Sequence, residues 1–116
     1  MYSGIAAALY TVYSGLKYYA IKGEGLINAG DASKYDIKHV IDVRTKVEWN
    51  LGHFTGAKHI PAGSMTAESL KGIPKNDAIL VYCNTGQRAR SAAEKIRSYG
   101  YKKVDYIENT YKSLKL

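Results

Sequence analysis

Residues 79–100 read ILVYCNTGQRARSAAEKIRSYG, and three kinds of local chemistry follow one another along them. Ile79-Leu80-Val81-Tyr82 is an unbroken apolar run after the turn pair Asn76-Asp77, the pattern of a strand buried on both faces. Cys83-Asn84-Thr85-Gly86-Gln87-Arg88 then interrupts the run with polar residues and a glycine. From Ala89 the period changes: Ala89, Ala92, Ala93, Ile96 and Tyr99 recur at i, i+3, i+4, i+7 and i+10, with Arg90, Glu94 and Arg97 turned outward, which predicts an amphipathic helix. Gly100 stands where a C′ glycine ends such a helix. Val104-Asp105-Tyr106-Ile107 is strand-like again. Strand, loop, helix and strand make a βαβ unit, whose strands are parallel and whose crossover is right-handed.

Further out, Val40-Ile41-Asp42-Val43 is another β-branched strand. His59-Ile60-Pro61 is a third, closed by proline, and Leu26-Ile27-Asn28 is a short extended piece. The expected fold is a small α/β domain with helices on both faces of a mainly parallel sheet. A chain of 116 residues is one domain, burying somewhat over ~60% of its unfolded surface, which supports a core without staples. With 46% hydrophobic and 23% charged residues the composition is globular rather than disordered. A single cysteine excludes an internal disulfide and is compatible with a reducing compartment.

The formal charge is +7, but the 17 Lys and Arg are scattered and their longest run is Lys102-Lys103. There is no zinc-ligand spacing, no cofactor motif, and no basic helix interleaved with regular aromatics. A solvated basic surface therefore fits better than a nucleic-acid partner.

The N-terminal stretch has a character of its own. No charged side chain precedes Lys17, and five of the eleven tyrosines (Tyr2, Tyr10, Tyr13, Tyr18, Tyr19) fall in the first 19 residues. Ile5, Leu9, Val12, Leu16 and Tyr19 share one helical face. Residues 1–22 read either as a membrane-spanning or membrane-docked helix or as an amphipathic helix packed on the domain or on a second copy. The first reading explains the missing charges and the terminal tyrosines. If the helix spans, Lys17, Lys22, Lys34 and Lys38 hold the domain in the cytoplasm; if it packs on protein, the chain is soluble there. A cleaved signal peptide fits poorly, because no basic residue precedes the apolar run. Residues 23–25, Gly23-Glu24-Gly25, read as a linker to a domain over 26–116.

The candidate site is the Cys83–Arg88 loop, which leaves the C-terminal end of a buried strand and opens a helix, where open α/β sheets bind ligands. First-turn amides of the Ala89 helix lack intrahelical acceptors, and the dipole there carries about +0.5 charge. Gly86 lets successive N–H groups point inward as an anion nest. Cysteines at helix N-termini beside Arg drop from about 8.5 to about 3.5–7.5, so Cys83 is expected to be a reactive thiolate rather than an inert buried cysteine.

The chain resembles the rhodanese family over roughly Leu26 to Ile107. Asp42-Val43-Arg44 with Glu48-Trp49, then Gly52-His53-Phe54-Thr55-Gly56-Ala57 and Ile60-Pro61, is similar to that family's conserved segments. Cys83-x-x-Gly86-x-Arg88 is similar to its active-site loop. The resemblance implies sulfurtransferase chemistry through a persulfide on Cys83, with a small anionic sulfur donor and a thiol or cyanide acceptor. It implies that the N–H groups of Asn84, Thr85, Gly86, Gln87, Arg88 and Ala89 hold the sulfur anion. Arg88 either attracts an anionic donor such as thiosulfate or braces the loop. Asp42, Arg44, Glu48 and His53 are expected to brace loops rather than touch substrate, while His39 and His59 show no partner pattern. Two positions depart from the family: Thr85 stands where thiosulfate-preferring members often carry a basic residue, and Glu108-Asn109-Thr110-Tyr111 replaces a glycine-rich turn, with Tyr111 in place of its aromatic.

Two other functions compete with the sulfurtransferase reading. One is a non-catalytic sulfur carrier or docking module tethered at a membrane. The other is a phosphatase or arsenate reductase of the same fold, disfavoured because four residues separate Cys83 from Arg88 where those phosphatases carry five.

Overall fold

Strands form where the β-branched runs predict them. The computed structural model describes residues 25–116, and in it β1 (His39–Asp42), β2 (Lys58–His59), β3 (Ile79–Tyr82) and β4 (Val104–Tyr106) form one parallel sheet in the order β2-β1-β3-β4. Leu26 adds an isolated parallel bridge to Tyr106. Gly25, assigned to the linker by its neighbours in sequence, is tied to this sheet edge, since its carbonyl accepts from the Tyr106 amide at 2.8 Å. The reading of residues 1–22 as a membrane or packing helix lies outside the described residues. Among the described residues no helix is long and apolar enough to cross a membrane.

The strand ends differ from the sequence pattern by single residues. The third strand is Lys58–His59 rather than His59–Pro61, because Pro61 has no N–H to continue the ladder. Contact persists beyond it: the Ile60 amide donates to the Asp42 carbonyl at 2.9 Å and Ala62 to Val43 at 3.0 Å. Val43 and Ile107, expected inside strands, lie just past β1 and β4, yet their amides still donate to Tyr82 and Val81.

Because β3 is buried throughout, its pleat sends alternate residues to two cores. Ile79, Val81 and Cys83 pack with Ile41 and Val43 on one side. Leu80 and Tyr82 pack with Val40 and Ile107 on the other. The first side is covered by α2 (Gln87–Ser98), which follows the short α1 (Lys46–Asn50) in the chain. Ala89, Ala92, Ala93 and Ile96 of α2 are buried as the periodicity predicts, and three alanines let the helix lie close to the sheet. Gly100, at φ 101°, ends it.

The opposite side is also covered by helix, but of a tighter kind. Ala29–Tyr35 form a 3₁₀ helix that buries Ala29 and Ala32 and starts where Asn28 Oδ1 accepts from the Gly30 amide. With only two small residues turned inward, this segment has no amphipathic α-helical stripe. The C-terminal segment completes the cover: Leu114 is buried and the Lys115 amide donates to the Ala29 carbonyl at 3.0 Å. The long connection between β2 and β3 is pinned by the Tyr101 hydroxyl, which lies 2.7 Å from the Ile73 carbonyl and 3.1 Å from that of Leu70.

The close approach of α2 makes its alanines sensitive to added volume. Ala93→Leu, at a fully buried position, is expected to destabilise by about 1–3 kcal/mol through overpacking. Urea unfolding should show a lower midpoint at constant slope; an unchanged midpoint would mean that α2 stands off the sheet.

Candidate active site

Cys83 continues the β3 pattern one residue past the strand, so its side chain falls on the α2 side of the sheet, in the same core as Val81 and Ala89. Gly86 is the N-cap of α2, with φ 95° and ψ −18°, and has no side chain with which to cap. The sulfur of Cys83 takes that place. It accepts from the Gly86 amide at 3.1 Å and from the Ala89 amide at 3.3 Å. Ala89 is the third helical residue, the position whose N–H a serine or aspartate N-cap would normally receive. The sulfur therefore sits at the positive end of a 12-residue helix. Among the described residues, the amides of Asn84, Thr85, Gln87 and Arg88, expected to join the ring of donors, make no bond to it. The left-handed backbone at Gly86 is one that L side chains avoid, and a Cβ there would also stand 3.0 Å from Glu108 Cα.

The loop is braced from outside by α1. Glu48 is the third residue of that helix and closes a capping box with Thr45. Its carboxylate also accepts a two-pronged contact from Arg88, at 2.7 and 3.0 Å, and a bond from the Asn84 side chain at 2.7 Å. One carboxylate thus joins the first and fifth residues after Cys83 to a separate helix. Bidentate Arg–carboxylate contacts fix geometry as well as charge. Arg88 and then the Thr45 amide hold the Glu48 carboxyl at about 2, well below its ordinary 4.5. Arg88 is thus paired with Glu48, and Glu48 and, more weakly, the nearby Cys83 sulfur both favour its charged form.

A second cluster lies under this one. Asp42 and Arg44 are buried charges that satisfy each other: Arg44 Nη2 is 2.7 Å from Asp42 Oδ2 and 2.6 Å from the Gly52 carbonyl, and Arg44 Nε reaches Asp42 Oδ1 at 3.0 Å. Tyr82, the residue before Cys83, faces the other way and donates to Asp42 Oδ2 at 2.6 Å while accepting from the Phe54 amide. Burial and then the Asp42 contact push its phenol above the ordinary value. The Arg44 guanidinium lies 5.4 Å from the Tyr82 ring centroid and 5.1 Å from that of Tyr111. Tyr111 also lies beside Gly52.

His53 Nδ1 lies 3.0 Å from the Trp49 carbonyl and its ring stacks on Trp49. His59 also has a partner. It stacks on Trp49 and donates from Nε2 to the Arg44 carbonyl at 2.8 Å. His39 pairs with Asp77 at the start of β1. Among the described residues no histidine bonds to Cys83, so no imidazole is placed to take its proton. In the sequence Trp49 stands only inside the Glu48-Trp49 motif and His59 only inside a strand-like run. Tyr82 reads there as one more strand residue, and nothing local announces that two histidines flank one tryptophan.

Two clefts flank the loop, and Thr85 borders both. One, of about 570 Å³, is lined by Gly86, Gln87, Arg90, Ser91 and Glu108. The other, of about 520 Å³, is lined by Arg44, Glu48, Asn84, Tyr111 and Lys112. Cys83 itself is fully covered.

Comparison with known proteins places this geometry in a family. The family described as Rhodanese-like domain matches residues 25–115. The chain is 35% identical over 69 residues to the thiosulfate sulfurtransferase PspE of Escherichia coli (strain K12), covering 59% of this chain and 66% of that protein. It is 33% identical over 66 residues to the putative sulfur carrier protein YrkF of Bacillus subtilis (strain 168), covering 57% and 35%. The chain thus spans about a third of YrkF and just under two thirds of PspE. A solved rhodanese with anions from E. coli aligns with a TM-score of 0.59 at 30% identity, over 67% of this chain and 92% of that one.

Glu48→Gln tests the brace through its pH dependence. Glu48 titrates lower when folded, so its contribution to stability is full above the ordinary 4.5 and is lost as pH falls through about 2. The gap in unfolding free energy between wild type and Glu48→Gln should be constant near neutrality and close across that window; a gap that persists at the acid end would refute the Arg88 clamp. Gly86→Ala should cost about 1–2 kcal/mol from the left-handed backbone alone, and more if Glu108 has to move. A melting temperature equal to wild type would show that the loop has another resting shape.

Proposed function

Since the chain belongs to the rhodanese-like domain family, we propose that it is a sulfurtransferase that carries sulfane sulfur as a persulfide on Cys83. The observation that carries the reading is the sulfur at a helix N-terminus, accepting from the Gly86 and Ala89 amides inside a loop braced by Glu48. Such donors favour the anionic form of whatever sulfur they face. The likeness to a thiosulfate sulfurtransferase supports the same chemistry.

The transfer divides into two displacements. In the first, the Cys83 thiolate attacks the outer sulfur of the donor. With thiosulfate the sulfur–sulfur bond breaks, sulfite leaves with the bonding pair, and Cys83 holds a persulfide anion. In the second, a thiol or cyanide attacks the outer sulfur of that persulfide and Cys83 leaves as the thiolate. Negative charge is present on sulfur throughout, so static donors serve both steps. Gly86 and Ala89 hold the inner sulfur, while the amides of Asn84, Thr85, Gln87 and Arg88 remain for the outer one. No cofactor is needed, because no electron is gained or lost overall. Asp42, Arg44 and His53, with Tyr82 and His59, act only by holding the walls. Cys83 is covered at rest, so the donor reaches it only when the loop moves; Thr85 and Gln87 are the exposed residues of that loop, and Thr85 borders both clefts.

The likeness to a putative sulfur carrier protein supports a second reading, in which sulfur is loaded and handed on without free turnover. Incubation with thiosulfate and cyanide should release thiocyanate, and Cys83→Ser should reduce this to background. Intact-mass measurement after thiosulfate alone should show one added sulfur atom on wild type and none on Cys83→Ser. Loading without turnover would select the carrier. A chain that takes up no sulfur from thiosulfate or inorganic polysulfide would remove both readings.

A further inference from the structure

The cleft between the Cys83 loop and the C-terminal turn is lined by two charged groups of fixed position, Arg44 and Glu48, and by a third, Lys112, that extends into solvent. Arg44 is paired with Asp42 at 2.7 Å and is buried. Glu48 is paired with Arg88, also at 2.7 Å. Each of these pairs is neutral as a unit. Lys112, which lines the same cleft, makes no ion pair among the described residues, so the mouth carries one uncompensated positive charge. The loop adds none of its own, for Thr85 is neutral and Arg88 is engaged with Glu48.

The backbone that carries Lys112 is held in place. Lys112 lies in a 3₁₀ turn, Tyr111–Ser113. Tyr111 before it packs 5.8 Å from the Tyr82 ring and over Arg44, and Leu114 after it is buried. A lysine with a fixed root and a free ammonium, beside an otherwise balanced cleft, raises the local concentration of anions. We infer that Lys112 is the specificity-determining residue for the donor, drawing a small anionic sulfur compound to the Asn84–Thr85 side of the loop. The inference rests on the sulfurtransferase reading. On this basis Lys112 supplies from the C-terminal turn the charge that Thr85 does not supply from the loop. Its influence falls on capture rather than on bond breaking, because the amide cradle alone faces the reacting sulfurs.

Cys83 is the chain's one cysteine, so alkylation offers a readout that does not depend on turnover. Iodoacetate carries a negative charge and iodoacetamide does not, and their relative rates report the field at the mouth. Lys112→Gln should lower the iodoacetate-to-iodoacetamide ratio several-fold and leave the iodoacetamide rate unchanged. With thiosulfate as donor it should raise KM on the order of tenfold with kcat little altered, and it should flatten the salt dependence of kcat/KM. Lys115→Gln, an exposed lysine outside the cleft, should do none of this. The assignment is overturned if Lys112→Gln leaves both the ratio and KM unchanged, if it slows iodoacetamide equally, or if Lys115→Gln has the same effect. A wild type that never takes up sulfur while the ratio still shifts would instead remove the sulfurtransferase reading and leave the anion-selecting lysine in place.

Discussion

A helix that begins on a glycine has first-turn amides with no side chain to receive them. In this chain a sulfur atom receives two of those amides, and the surrounding architecture follows from that substitution. The sulfur has to come from the strand that precedes the helix. It has to point to the side of the sheet that the helix covers, and the connection has to be short and able to turn left-handed at one residue. Cys83, the pleat of β3 and Gly86 meet these conditions in order. Two neutral amides would be a modest attraction in water. In a covered position, with the dipole of a three-turn helix behind them, they form a preorganised environment for negative sulfur.

Two carboxylates stabilise this arrangement at different depths. Asp42 is fully buried and surrounded by donors from Arg44 and Tyr82, so it fixes the relation between β1, β3 and the segment around Gly52. Glu48 lies nearer the solvent and fixes the outline of the loop. A buried pair contributes little net stability over an apolar substitute, but losing one partner strands a charge. The inner pair therefore acts as a register pin, while the outer one ties the loop to α1. Trp49, stacked on the rings of His53 and His59, links the helix that presents Glu48 to β2.

Much of this was legible in the sequence because it is local. The β-branched runs, the alanine-rich stripe from Ala89 and the glycine at position 100 all correspond to elements of the sheet and α2. The loop could be identified because strand, cysteine, glycine, arginine and helix are contiguous. Partnerships across the chain were harder to read. The clamp between Glu48 and Arg88 spans forty residues, and a glutamate at the third position of a helix already has a local explanation as half of a capping box. Tyr82 looked like core because three neighbours in its strand are core; its hydroxyl matters only once β1 lies alongside and presents Asp42. His59 shows no partner in the sequence for the same reason, its partner being the Arg44 carbonyl. The 3₁₀ helix over Ala29–Tyr35 has no periodic signature in the sequence, because it buries only two alanines.

Tyr82 and Cys83 are neighbours in the chain and look in opposite directions. One reports to the buried ion pair, the other to the helix terminus, and the parity of a strand only four residues long decides which does which. A single inserted or deleted residue anywhere along Ile79–Tyr82 would exchange them, turning the phenol toward α2 and the thiol toward Asp42. Point substitutions can damage the two clusters separately, but a change of length in β3 disables both at once. Evolutionary drift in this chain is therefore free to repaint the strand's side chains within limits of size, yet has almost no freedom to alter its count.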